Sequence, residues 1–205
     1  MQREAKEKLA EFIEKVLDIV SRLDSHFTML KDLHIEANSE KKKFLEYAPL
    51  FFLNVSDSFK RTLVIEIYNL FGKGKNNQTS LRVLLNSICK YIKDYGSYDP
   101  DANKIDSFIV ESTKKLNALD ANLIKIKDYR DQVWGHKDMI YLKDSKEYFN
   151  KNPLNISEFE EFLSTAKEIC RGAFYFFKGI KDAEIELPGS DELKNLINYL
   201  IEHEE

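Results

Sequence analysis

Residues 8–30, KLAEFIEKVLDIVSRLDSHFTML, decide the fold class: Leu9, Phe12, Ile13, Val16, Ile19, Val20, Leu23, Phe27 and Leu30 recur three and four residues apart. A chain turning about 100° per residue puts such positions on one stripe, so the first thirty-odd residues form one long amphipathic helix. No segment shows the strict alternation that a half-buried strand would need, and no internal repeat is present.

The same period continues outward from this helix. A polar, lysine-rich stretch runs from Asn38 to Lys43, and Pro49 then opens an apolar segment from Leu50 to Phe71, with Phe52, Val55, Phe59, Leu63, Ile67 and Leu70 in helical register. Its hydrophobicity predicts the most buried helix of the molecule. The breaker cluster Gly72-Lys73-Gly74-Lys75-Asn76-Asn77 ends it, and Thr79 or Ser80 can cap a third helix with Leu81, Leu84, Leu85, Ile88 and Ile92 on its apolar face. Asp99-Pro100 signals another start, leading to Ile105, Phe108, Ile109, Leu116 and Leu119, with a break expected near Asp120. Leu123, Ile126 and Val133 carry the next helix, and residues 143–153 read as polar loop. Ser157 with Glu160 reads as a capping box before Phe159, Phe162, Ala166, Ile169, Ala173, Phe176 and Ile180. Pro188-Gly189 precedes a last amphipathic stretch carrying Leu193, Leu196, Ile197, Leu200 and Ile201. The expected architecture is all-α, an antiparallel bundle of about six to seven helices joined by short loops. Residues 1–180 form the helical domain and 181–205 a C-terminal linker and amphipathic helix.

Composition limits the function. With 205 residues, 43% hydrophobic, the chain can bury one substantial core. Its formal net charge is -4, so no overall positive field drives indiscriminate nucleic-acid binding, and any such contact must use a local patch. Cys89 and Cys170 are isolated from each other and from any histidine at ligand spacing, which predicts neither a zinc site nor a disulfide framework. The charged amino terminus lacks a signal-peptide core and no run reaches eighteen apolar residues, so a cytoplasmic protein without membrane partner or cofactor is expected.

One segment carries chemistry: Tyr129-Arg130-Asp131-Gln132-Val133-Trp134-Gly135-His136-Lys137-Asp138. Counting back from Arg130 reaches Ile126, Leu123 and Leu119, and counting forward reaches Val133, so a permanent cation occupies a register otherwise held by core residues. On an unbroken α-helix Trp134 would lie about 40° from Arg130, and His136 roughly 9 Å along the axis and about 120° around it. One phosphate cannot be reached by both groups on such a helix. Either Gly135 ends the helix and lets His136 swing back, or a symmetric dimer brings two motifs together. An imidazole can then move protons near neutral pH while a guanidinium holds phosphate oxygens bidentately, which suffices for attack of a ribose 2′-hydroxyl on its neighbouring phosphate. Asp131 can orient either group. Lys125, Lys127, Lys137 and Lys143 add local positive charge, partly cancelled by Asp128, Asp138 and Asp144.

The spacing alone is weak, because four histidines and an arginine frequency of about 3% give roughly a one-in-three chance of such a pair. The neighbouring letters are stronger. An Asp directly after the Arg, the apolar Val133-Trp134, a small residue before the His and Lys-Asp after it resemble the R-x(4–6)-H signature of the HEPN superfamily, specifically its abortive-infection AbiU-like branch. A long first helix, an apolar second helix ending in a loop and a Thr-Ser-Leu helix start at Thr79 extend the resemblance over most of residues 5–180. It implies metal-independent endoribonuclease activity in toxin or phage-defence roles, with RNA as substrate, dimerisation through the motif helices and an antitoxin protein as a further partner. It also implies Arg130 and His136 as the catalytic pair, with Asp131 as polar support. Gln132 and Gly135 stand where the branch commonly has Lys and Ala. Lys137-Asp138 stands where some HEPN toxins carry the x-Tyr that a nucleotidyltransferase antitoxin modifies, and Tyr141 is out of that pattern. Inactive scaffolds also occur in the superfamily.

Blander uses remain open for each feature. Arg130 and His136 can be a rim ion pair and a helix-end imidazole, leaving a non-enzymatic helical module that dimerises or binds a partner chain. Trp134 can stack on a base, but packing accounts for it more simply. Residues 72–75 lack P-loop spacing and read as a solvated connector. His26, His34 and His203 have no partners at ligand spacing and read as surface residues.

Overall fold

The computed structural model describes residues 2–39, 45, 48–73, 78–95, 102–134 and 153–178. Among the described residues six α-helices and one π-helical segment follow in order: α1 (Gln2–Ala37), α2 (Pro49–Phe71), α3 (Leu81–Tyr95), α4 (Ala102–Ala118), α5 (Asp120–Asp128), the π segment (Tyr129–Trp134) and α6 (Ile156–Lys178). No strand occurs among the described residues, and the fold is the all-α bundle that the periodicity predicts.

The long helix α1 is the spine, packed against α2, α3 and α6. Its stripe of Leu9, Ile13, Val16, Val20, Leu23, Phe27 and Leu30 is buried against Leu63, Ile67 and Leu70 of α2, Leu81, Leu84 and Ile88 of α3, and Phe159, Phe162, Ala166 and Ile169 of α6. Removing each of the larger side chains from water contributes roughly 1.5–3 kcal/mol, which offsets the entropy lost in ordering the chain. Cross-links show the direction of packing. Lys31 reaches Glu160 at 2.9 Å and Lys167 reaches Asp24 at 2.5 Å, so α6 runs antiparallel to α1. Lys115 pairs with Glu168, and Lys125 with Glu158 at 2.7 Å, so α4 and α5 form one broken column antiparallel to α6. The break expected near Asp120 is the single turn residue Leu119, which remains in the core at 2% exposure.

Helix ends follow the local chemistry, with one shift of register. Pro49 occupies the first turn of α2, and Gly72 ends it in extended conformation while its N–H donates to Tyr68 O at 2.8 Å. Ser80 caps α3, its Oγ accepting from Val83 N at 3.3 Å. The box on α6 uses Asn155 and Glu158 rather than Ser157 and Glu160: the Asn155 N–H donates to Glu158 Oε2 at 2.7 Å. Glu160 lies two residues further along and serves Lys31 instead. The Asp99-Pro100 start, residues 143–152 and the stretch 181–205 lie outside the described residues.

Two further expectations are corrected. The first half of α2 is not deeply buried: Leu50, Phe51 and Leu53 are 73%, 53% and 57% exposed, and in this half Phe52 alone among the described residues is buried, in a small cluster with Leu33 of α1. His26 is not a free surface residue, since its ring packs 5.7 Å from that of Phe59 and its Nδ1 is shut off from solvent. His34 is exposed, as expected, and His203 lies outside the described residues. No described helix is long and apolar enough to cross a membrane.

Two packing details give measurable consequences. A Cβ on Gly172 would sit 2.2 Å from Phe108 Cε2, whose ring is itself stacked 5.3 Å from Phe176. Gly→Ala in a helix normally stabilises by about 1 kcal/mol, whereas overpacking costs about 1–3 kcal/mol, so Gly172→Ala should lower the urea midpoint. A raised midpoint would show that Phe108 swings aside freely. Both cysteines are unpaired, Cys89 half-buried and Cys170 in the core, where burial pushes its thiol up to about 12. Iodoacetamide at pH 8 should alkylate Cys89 in the native protein and reach Cys170 only after denaturation. Mass spectrometry reads the result, and equal labelling rates would contradict the packing around α6.

Candidate functional site

The candidate site grows from the column formed by α5 and the π segment. Asp120 sits in the first turn of α5, where its charge suits the helix dipole, and it accepts from Arg82 Nη2 at 3.0 Å and Lys73 Nζ at 2.6 Å. Arg82 also donates to Asn117 Oδ1 at 2.9 Å and Leu116 O at 3.1 Å, so one half-buried guanidinium fastens α3 to the joint between α4 and α5. Sequence periodicity does not single out Arg82, because its partners lie thirty-four or more residues away. On the inner face, Leu119, Leu123 and Ile126 are buried, as the register predicts.

Tyr129, rather than Arg130, follows Ile126 into the core, at 2% exposure. From Tyr129 to Trp134 the backbone is π-helical, with i→i+5 hydrogen bonds that widen the turn, a geometry common at functional sites. The rotation of about 100° per residue expected for an unbroken α-helix therefore does not apply from Tyr129 to Trp134. Arg130 is left at the rim with its side chain 30% exposed.

The guanidinium is held on two sides. Its Nε donates to Asp131 Oδ1 at 2.6 Å, and Nη2 pairs with the same oxygen. Its Cζ stands 3.6 Å from the ring centroid of Tyr68 on α2, a close cation–π stack. Stack and carboxylate together offset the cost of withdrawing the cation from water. Asp131 uses the Nε–Nη2 edge, which leaves the terminal edge, formed by Nη1 and the outer N–H of Nη2, without a partner among the described residues. A terminal edge of this kind matches two oxygens of a phosphate.

Sequence reasoning places Arg130 and Asp131 together and misses Tyr68. The available signal was faint: an aromatic residue beside the buried register of α2, one turn before the Gly72 breaker. Gly135, His136, Lys137, Asp138, Tyr141, Lys143 and Asp144 lie outside the described residues, as do the side chains of Val133 and Trp134. Lys125 does not add to a phosphate-binding patch, because its Nζ is spent on both Glu158 oxygens and on Pro153 O at 2.5 Å. Lys127 is exposed, and with Tyr68, Lys73 and Ile124 it lines a depression of about 210 Å³ that shares Tyr68 with the Arg130 stack. A larger cavity of about 600 Å³ lies between the end of α1 and the starts of α2 and α6. Leu33, Phe52, Leu53, Ile156 and Phe159 make it apolar, and it contains neither Arg130 nor Asp131. No group of three or more metal-ligating side chains occurs among the described residues.

A family model described as AbiU2, of the HEPN type, matches residues 8–177. No curated protein and no solved structure matches the chain.

Proposed function

Because the chain belongs to the HEPN AbiU2 family, we propose that it is a metal-independent endoribonuclease acting in growth arrest or phage defence. The supporting observation is the presentation of Arg130, a half-buried cation whose side edge is committed to Asp131 and whose terminal edge has no partner among the described residues. In the proposed reaction His136 removes the proton of a ribose 2′-hydroxyl. The oxygen attacks the adjacent phosphorus, the bond from phosphorus to the 5′-oxygen breaks, and an imidazolium returns a proton to that leaving oxygen. Arg130 holds the non-bridging oxygens and stabilises charge building on them. The products are a 2′,3′-cyclic phosphate and a 5′-hydroxyl. A homodimer joining two motif segments supplies two imidazoles and two guanidiniums to one cleft.

The test is incubation of purified protein with single-stranded RNA in excess chelator. Cleavage leaving cyclic phosphate and 5′-hydroxyl ends is expected; cleavage that requires an added divalent ion, or that leaves 5′-phosphates, contradicts the mechanism. The exposed Leu50, Phe51 and Leu53 beside the apolar cavity favour a second reading, a catalytically inactive module that binds a partner chain. Inert RNA in every condition would favour that one.

A further inference from the structure

We infer that Tyr68 is a positioning residue for Arg130, fixing the plane of the guanidinium so that its terminal edge meets a phosphate; the inference rests on the nuclease reading above. Asp131 alone cannot do this. A single carboxylate oxygen receives both Nε and Nη2, and a guanidinium held at one oxygen can still pivot about that point. The Tyr68 ring, 3.6 Å from Cζ, removes the remaining freedom by covering one face. The two restraints come from different sources, Asp131 from the π segment itself and Tyr68 from α2, which packs against it. Arg130 is therefore referenced to the rigid core through Ile67 and Leu70, the buried neighbours of Tyr68 on α2. The ring face is what the stack requires, so Phe should substitute for Tyr and an aliphatic side chain should not. Tyr68 also lines the 210 Å³ depression with Lys127, so a strand bound there would meet both side chains.

The experiment compares wild type, Tyr68→Phe, Tyr68→Leu and Arg130→Ala, with thermal unfolding confirming that each is folded. In single-turnover RNA cleavage Tyr68→Leu should lose roughly 10- to 100-fold in rate with KM changed by less than about threefold, while Tyr68→Phe stays within about threefold of wild type. In parallel, NMR of the Arg130 Nε–Hε group should show a ring-current shift in wild type and Tyr68→Phe that vanishes in Tyr68→Leu. Titration with a 2′-deoxy oligoadenylate, which carries phosphates but no attacking hydroxyl, should move this signal less in Tyr68→Leu. If Tyr68→Leu cleaves like wild type while Arg130→Ala does not, positioning by Tyr68 is overturned and the nuclease reading stands. If wild type cleaves nothing, the nuclease reading falls, and the NMR signal and oligonucleotide titration alone decide whether Tyr68 presents Arg130 to phosphate. An Arg130 signal unchanged across the tyrosine variants overturns the inference in either case.

Discussion

Arg130→Ala is expected to slow RNA cleavage by roughly 10²- to 10³-fold, the usual effect of removing one preorganised donor from a developing oxyanion. His136→Ala should cost about 10²- to 10⁴-fold through loss of proton transfer. Arg130→Lys should not restore the rate, because an ammonium can neither stack flat on Tyr68 nor share one edge with Asp131 while offering another to phosphate. Single-turnover rates on a short RNA, with excess chelator throughout, measure all three. Retention of wild-type cleavage by His136→Ala or by Arg130→Lys would sink the assigned roles. The arginine prediction is anchored in geometry, whereas the histidine prediction rests on family membership and the motif.

Replacing Lys167 by Met is expected to destabilise the fold by roughly 3 kcal/mol, since removing one partner leaves the other charge buried. Asp24 is 4% exposed in the middle of the α1 stripe, Lys167 reaches its Oδ1 at 2.5 Å from α6, and Oδ2 is buried with no hydrogen-bond partner among the described residues. The loss should appear as a lower urea midpoint with little change in slope. Substituting both residues, Asp24→Leu with Lys167→Met, should recover most of it, because an apolar pair of similar volume carries no desolvation cost. A double variant no more stable than Lys167→Met alone would mean that the ion pair contributes packing geometry that hydrophobic side chains cannot replace.

How much could be read in advance differed by residue. Leu9 to Leu30, Leu81 to Ile88 and Phe159 to Ala173 were legible because burial on a helix leaves a periodic trace in the chain itself. Pro49 and Ser80 were legible because caps act over three or four residues. The box at Asn155 and Glu158 was misplaced by two positions, since Ser-x-x-Glu and Asn-x-x-Glu satisfy the same local rule and only the position of Lys31 settles where Glu160 goes. The exposure of Leu50, Phe51 and Leu53 was not legible, because hydrophobicity records what a helix would bury and not how far its neighbour extends.

By itself the sequence determined the all-α class, the family, and the adjacency of Arg130 and Asp131, all properties carried by residues close together along the chain. Only the tertiary structure decided that Tyr129 takes the core position, that Arg130 stacks on Tyr68, that Lys125 is consumed by Glu158, and that Asp24 finds Lys167. The physical reason is the same in the last three cases. A cation lowers its energy by meeting an aromatic face or a carboxylate, and which of them it meets depends on how separate helices are juxtaposed, for which distance along the chain carries no signal.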